Sequence, residues 1–196
     1  MINTSDSKEI SSKEAESQIF PSIEPANGSH ISTIAAIEKQ SWLSAYPNQE
    51  HGITVEDVEK RFVDMPKREQ LILADMNDSS HKFFVVHLNT QIIGYIHLLF
   101  EPELNDLVEI YLIPSEQGKG YGKRLIDFAL REFGNSKPIQ LEVATYNERA
   151  KALYAKYGFV EKPDLVQPPK EDWNVLPSGK RIPVVFMVKK GEKQHE

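Results

Sequence analysis

A turn with glycines at 118, 120 and 122, in the run Gln117-Gly-Lys-Gly-Tyr-Gly-Lys123, joins a β-rich segment at 107–113 to a strongly amphipathic one. The β-rich segment, Leu-Val-Glu-Ile-Tyr-Leu-Ile, is broken by Pro114. Beyond the turn, Leu125, Ile126, Ala129, Leu130 and Phe133 recur on one face at helical spacing. Strand, loop and helix in that order aim exposed main-chain N–H groups and the positive end of a helix dipole at one place, which favours an anion. Alternating glycines let the main chain approach oxygen atoms that a Cβ would hold away, so the turn suits a pyrophosphate. Two phosphate-loop patterns fit it poorly. A dinucleotide fingerprint needs G-x-G-x-x-G early in a βαβ unit, and a Walker loop needs Ser or Thr after Gly-Lys, where this chain has Arg124.

The remaining elements arrange themselves around that turn. Ile34, Ile37 and Leu43, with Trp42 between them, predict a helix from Ile31 that ends before Pro47. Thr54 is a cap for a second helix carrying Val55, Val58 and Phe62, with Pro66 read as its stop. Segments 82–88 and 91–100 read as antiparallel strands of a hairpin turned at Asn89-Thr90. A short strand is expected at 139–143; Asn147 caps a helix running to Tyr157, and Gly158 suits its left-handed end. Residues 162–181 form a Pro-rich connection with Trp173, and such long loops are more often functional than idle. The last strand is expected at 182–188, its Pro183 suiting an edge or a strand start. Residues 1–27, rich in Ser, Glu and Lys, read as a flexible tail, and 28–196 as one domain. The order of elements indicates an α/β (α+β) fold with a sheet of mixed direction.

Composition removes several classes of function. A net charge of −6 disfavours a nucleic-acid partner, which needs a concentrated basic surface. The absence of cysteine rules out disulfides, thiolate metal sites and a cysteine nucleophile. No signal pattern or membrane-length apolar run is visible, so a cytoplasmic protein with no membrane partner is expected, and the Asn-x-Ser triplets at Asn3, Asn27 and Asn77 lack a secretory context. Histidines 30, 51, 81, 87, 97 and 195 show no metal-site spacing; His87 and His97 are the pair a hairpin brings near each other, and no metal is expected. A Gly-x-Ser-x-Gly elbow is also missing.

The turn and the block after it resemble the GCN5-related N-acetyltransferase (GNAT) family. Gln117, Gly120 and Gly122 match its Q/R-x-x-G-x-G/A signature. Residues 110–114 are similar to its fourth strand, and Asn147, Ala150, Leu153-Tyr154 and Gly158-Phe159 to its N-x-x-A-x-x-L-Y-x-x-x-G-F block. The resemblance implies a mostly antiparallel twisted sheet of about 6–7 strands, flanked by helices and splayed at two central parallel strands. It implies that main-chain groups of Ile110, Tyr111 and Leu112 pair with the pantetheine arm of acetyl-CoA. The amides of Gly118, Lys119, Gly120, Tyr121, Gly122 and Lys123, after Gln117, would hold its pyrophosphate, with Asn147 and Tyr154 contacting the cofactor further on.

For the reaction, the resemblance implies direct acetyl transfer to a primary amine, with no metal. An alkyl ammonium with a pKa of about 10.4 must first lose a proton, so a base is needed. Two carboxylates compete: Glu142, similar to a glutamate of enzymes that acetylate protein N-termini and slightly preferred, and Glu109, which resembles the position used by histone-type members. Tyr154 is the acid for the leaving thiolate. Periodicity alone would place it in the core with Ala150, Leu153 and Tyr157, and only the family position turns it toward the sulfur. The acceptor is expected to be a small-molecule amine; a protein N-terminus or lysine is the alternative, and a non-catalytic acyl-CoA sensor is another. Trp42, Tyr46, Phe62 and the loop 168–179 with Trp173 are where acceptor choice is expected to lie, and the protein is expected to be a monomer or a homodimer.

Overall fold

Strand β1 (Ser22–Pro25) leads into helices α1 (Ile31–Ala45), α2 (Val55–Glu59) and α3 (Met65–Asn77) in a computed structural model that describes residues 20–165 and 173–192. Strands β2 (His81–Leu88), β3 (Gln91–Phe100) and β4 (Asn105–Leu112) follow, then helix α4 (Tyr121–Phe133), strand β5 (Ile139–Ala144), helix α5 (Glu148–Ala155), and strands β6 (Val160–Lys162) and β7 (Val184–Lys189). The seven strands form one open sheet in the order β1-β2-β3-β4-β5-β7-β6. Every pairing is antiparallel except β4 with β5. This is the mixed α/β sheet the sequence implies.

Four features depart from the expected pattern. Pro66 starts α3 instead of only stopping the preceding helix: it lies in the first turn, where a missing N–H costs nothing, and Asp64 caps the turn by accepting from the Lys67 N–H at 3.0 Å. Strand β1 falls inside the stretch read as a tail, its partner on β2 supplying hydrogen bonds that composition cannot reveal. Strand β6 is three residues long and exposed, so it has no hydrophobic pattern to read. Strand β7 begins after Pro183 and is paired on both sides, by β5 and β6, so the free edges of the sheet are β1 and β6 and the last strand offers none.

Both faces of the sheet are covered. Helices α4 and α5 pack on one, where Leu125, Ala129 and Phe133 bury against Ile96, Leu98, Leu141 and Val143. Each large side chain fully buried there contributes about 1.5–3 kcal/mol. The other face carries Val85, Tyr95 and Phe83 under Ile34, Ile37 and Ile72, with a second cluster of Trp42, Tyr46, Val58, Phe62 and Ile182 beside it. Among the described residues no helix is long and apolar enough to cross a membrane.

The polar link that orders this second cluster is Asp57. Its carboxylate accepts from the Lys180 ammonium at 2.6 Å, the Thr54 N–H at 2.9 Å and the Thr54 hydroxyl at 2.7 Å. It thereby caps α2 and pins the segment that follows Trp173. The Lys180 hydrogen bond first, then the two from Thr54, hold the Asp57 carboxyl well below the usual carboxylate range. Its folded pKa lies below the unfolded value of about 3.9, so its contribution is present at neutral pH and is lost as pH falls below that value. Chemical denaturation of Asp57→Asn is therefore expected to show lower stability than the parent at pH 7, with the gap narrowing steadily as pH is lowered below about 4.

Candidate active site

The sheet opens where β4 leaves β5. Only Asn105 with Ile139 and Asp106 with Gln140 are paired, and beyond them the two strands separate. The cause lies on the other side of β4: Leu107 and Glu109 face consecutive β3 residues, Leu98 and His97, so Val108 is an extra residue. Such a bulge bends its strand and strengthens its twist. Gly94 lets β3 and β4 stay close despite the bend, since a Cβ there would lie 2.3 Å from the Tyr111 carbonyl oxygen and 2.8 Å from Leu112 Cδ2.

The split exposes main-chain groups. The Ile113 N–H donates to the Ile93 carbonyl at 2.8 Å. Hydrogen-bonded and non-hydrogen-bonded pairs alternate along antiparallel strands, so Tyr111 also faces β3 while Ile110 and Leu112 turn their peptide groups into the gap. The Leu112 carbonyl accepts there from Gln117 Nε2 at 3.0 Å and Ser41 Oγ at 3.4 Å. Of the three residues expected to line the cofactor arm with their backbone, Ile110 and Leu112 have that orientation. The Tyr111 side chain instead points to the α1 face, where its hydroxyl meets that of Tyr46 at 3.1 Å.

Residues 117–123 continue from this edge into α4. Gly118 and Gly120 take left-handed backbone angles, φ 85° and 87°, and Gly120 occupies the N-cap of α4 without a side chain to satisfy the first amides. Tyr121, Gly122 and Lys123 form the first turn, while the Lys119 ammonium is drawn to Glu116 at 2.9 Å. The Arg149 guanidinium overhangs the turn: its Nη2 would be 3.4 Å from a Cβ on Gly118. Asn147 caps α5 by accepting from the Ala150 N–H at 3.1 Å, which aims that helix at the same cavity.

A cavity of about 980 Å³ runs through the split and is lined from both faces of the sheet. Gly118, Gly122, Arg149 and Tyr154 line it on the α4 and α5 side; Trp42, Tyr46, Glu109, Glu142 and Trp173 line it on the α1 side. Burial pushes the Tyr154 hydroxyl up to about 12, so it stays protonated at neutral pH. The two candidate bases sit in different surroundings. Glu142 is half-buried and accepts from the Trp173 indole N–H on Oε2 at 2.9 Å. Burial raises its pKa, and the indole offsets this in part. Glu109 accepts from the Tyr95 hydroxyl at 2.9 Å and lies 3.5 Å from His97 Nδ1 and 3.6 Å from Arg68 Nη2. Burial works to raise its pKa, but the His97 hydrogen bond and the Arg68 charge, with Tyr95, carry it below the ordinary value.

Several residues of the cavity region escaped the sequence reading. Glu38 is fully buried on α1 and holds Arg68 Nε at 2.6 Å; burial first, and then the Glu109 charge, push its carboxyl up to about 7 despite Arg68. Its signal was available, as a carboxylate on the apolar face of a helix between Ile34, Ile37 and Trp42. Arg61 lies over the Trp42 ring at 4.3 Å and donates to the Trp173 carbonyl at 2.9 Å. Arg149 stood within the matched block, between Asn147 and Ala150, at a variable position. The expected approach of His87 to His97 does not occur: His87 pairs with Ile92 and contacts Glu24 at 3.0 Å, whereas His81 reaches His97 diagonally across the hairpin. Of the loop 168–179, only the part from Trp173 lies within the described residues. There Trp173 packs on Trp42 and Tyr46 at ring distances of 5.8 and 6.1 Å.

Comparison with known proteins gives three concordant results. The Acetyltransferase (GNAT) family matches residues 41–159. Spermidine N(1)-acetyltransferase of Vibrio cholerae is 31% identical over 118 residues, which cover 56% of this chain and 66% of that enzyme. The fold is shared with the crystal structure of a Vibrio cholerae spermidine N-acetyltransferase in complex with CoA and spermine, at TM-score 0.64 and 22% identity over 87% of this chain and 95% of that one. It is shared also with the PaiA N-acetyltransferase of Thermoplasma acidophilum in complex with coenzyme A, at TM-score 0.61 and 18% identity over 87% and 98%.

The left-handed backbone at 120 sets a test of the turn. Gly120→Ala forces a Cβ into that conformation at a cost of about 1–2 kcal/mol. Calorimetric titration is expected to show CoA binding weakened about tenfold, with a modest fall in melting temperature.

Proposed function

The chain belongs to the acetyltransferase (GNAT) family, and from that premise we propose that it moves an acetyl group from acetyl-CoA directly to a primary amine of a small molecule. The carrying observation is the split itself. Peptide groups of Ile110 and Leu112 that have no partner on β5 run toward a helix start at Gly120 with no side-chain cap, in a cavity that a protonated tyrosine and two carboxylates also line.

Acetyl-CoA would supply a thioester already activated toward amines. Ile110 and Leu112 would bind the pantetheine arm as an added strand, and the amides of residues 118–123 its pyrophosphate, with Arg149 adding a positive charge and Asn147 orienting α5 beside it. The acceptor would enter from the α1 face, between Trp42, Tyr46 and Trp173, whose rings favour a cation. Glu142 would take the ammonium proton: its raised pKa makes it a better base near neutrality than Glu109, which three neighbours hold in the ionised, weakly basic form. The Leu112 N–H would donate to the carbonyl oxygen as negative charge develops there, and the Tyr154 hydroxyl would give its proton to the departing sulfur. Bringing the amine and thioester together in one cavity supplies the remainder of the rate. The relative from Vibrio cholerae makes spermidine the first acceptor to try.

A panel of amines assayed by CoA release tests the reading; turnover with a small polyamine or amino compound is expected, and acetyl-CoA binding without turnover of any amine would overturn it. Tyr154→Phe is expected to lower kcat by about 10²-fold or more with little change in CoA affinity, as loss of a general acid requires. The base assignment has a pH signature. Activity should fall as pH drops through the raised Glu142 pKa, giving kcat/KM an acid limb above the ordinary carboxylate value of about 4.3, and Glu142→Gln should remove that limb along with at least about 10²-fold in rate.

A further inference from the structure

At the far end of the same cavity, three side chains from three elements converge. Asp75 comes from the last turns of α3, His81 from the start of β2 and His97 from the middle of β3. One ligand-type atom from each lies within 4.8 Å of the other two. His81 Nδ1 and His97 Nε2 are 2.7 Å apart. His97 is almost wholly buried, its ring stacked on Phe83 at 3.9 Å and 20°. Behind it, on the side away from His81, His97 Nδ1 faces the Glu109 carboxylate at 3.5 Å.

We infer that Asp75, His81 and His97 form a binding site for a zinc-type divalent cation, with Glu109 as the carboxylate that orients His97. Two imidazoles and a carboxylate are the donor set of a three-ligand zinc site that keeps a fourth position open, and all three residues line the cavity. A histidine ligand is commonly steered by a carboxylate on its other ring nitrogen, which fixes the tautomer and leaves the metal-facing nitrogen with its lone pair. Glu109 stands in that place relative to His97, and Nε2 is left to point at His81 and Asp75. Bond lengths of about 2.0–2.1 Å separate tetrahedral ligand atoms by about 3.3 Å. The two imidazole nitrogens need to open by only about 0.6 Å from their hydrogen-bonded distance, and Asp75 closes in by turning its carboxylate. A soft thiolate is absent from the set and nitrogen dominates it, so zinc, cobalt or nickel fits better than magnesium or calcium. The cation would clamp α3 to the β2–β3 hairpin at the back of the acceptor cavity.

The test needs no assay of transfer and does not depend on the acetyltransferase reading. The full chain, stripped with chelator, is titrated with zinc chloride alone by calorimetry, and bound zinc is counted by elemental analysis after desalting. One equivalent per chain is expected, with the melting temperature rising by about 5 °C at zinc well above Kd. His81→Ala and Asp75→Asn should each weaken that equivalent at least tenfold, while His51→Ala, at an exposed position remote from the cluster in the sequence, leaves it intact. Matching melting temperatures of the variants and the parent without zinc would show that they remain folded. If zinc fails to bind, or binds equally well to the parent, His81→Ala and Asp75→Asn, the inference is wrong and the two histidines are a plain hydrogen-bonded pair.

Discussion

The parting of β4 from β5 after Asp106 is the constraint from which the rest of the site follows. A sheet normally closes its ladder, because an unpaired N–H or C=O shielded from water costs about 1–3 kcal/mol. Here one extra residue, Val108, bends β4 away while Gly94 keeps it attached to β3. The peptide groups freed by the bend lie along a cavity and not in a sealed core, so a ligand can satisfy them. The same bend carries the end of β4 to the start of α4, where a second set of amides is open. A strand edge and a helix end are ordinarily separate features; this bulge makes them one continuous surface.

The two carboxylates illustrate how environment divides similar side chains into different roles. Glu109 and Glu142 project from neighbouring strands into one cavity. Glu109 is saturated with partners, Tyr95, His97 and Arg68, and the last of these is shared with Glu38. Removing Arg68 would take the guanidinium away from two buried carboxylates at once. Among the described residues Glu142 accepts from one neutral partner, the Trp173 indole, and burial raises its pKa, which leaves it able to change its protonation state.

What was legible in the sequence and what was not follows from the range of the interactions. The strand, glycine turn and helix at 107–133, and the capped helix beginning after Asn147, are specified by residues within a few positions of each other, and they appear where the pattern put them. Pro66 was misread because proline ends one helix and opens another by the same missing N–H, and only the cap at Asp64 separates the cases. Strand β1 depends on a partner some 60 residues away and carries too few apolar residues to announce itself. Which of Ile110, Tyr111 and Leu112 turns toward the gap depends on the register with β3, which local spacing does not give. Arg68 and His81 enter through contacts between elements that no local spacing records, and the helical spacing that marked Glu38 as buried could not name Arg68 as its partner.

The hydrogen bond from Trp173 to Glu142 has a geometric consequence. A carboxylate has two oxygens, and the indole holds one of them, so the direction of the other is set by wherever Trp173 stands. Trp173 is in turn fixed through its carbonyl by Arg61, and the chain just beyond it by Lys180 on Asp57. The place of the Trp173 indole and the alignment of the Glu142 carboxylate are therefore a single mechanical coordinate. In the reaction proposed above, an acceptor that seats the indole would also aim the lone pair, and one that dislodges it would leave Glu142 misdirected even with the amine within reach.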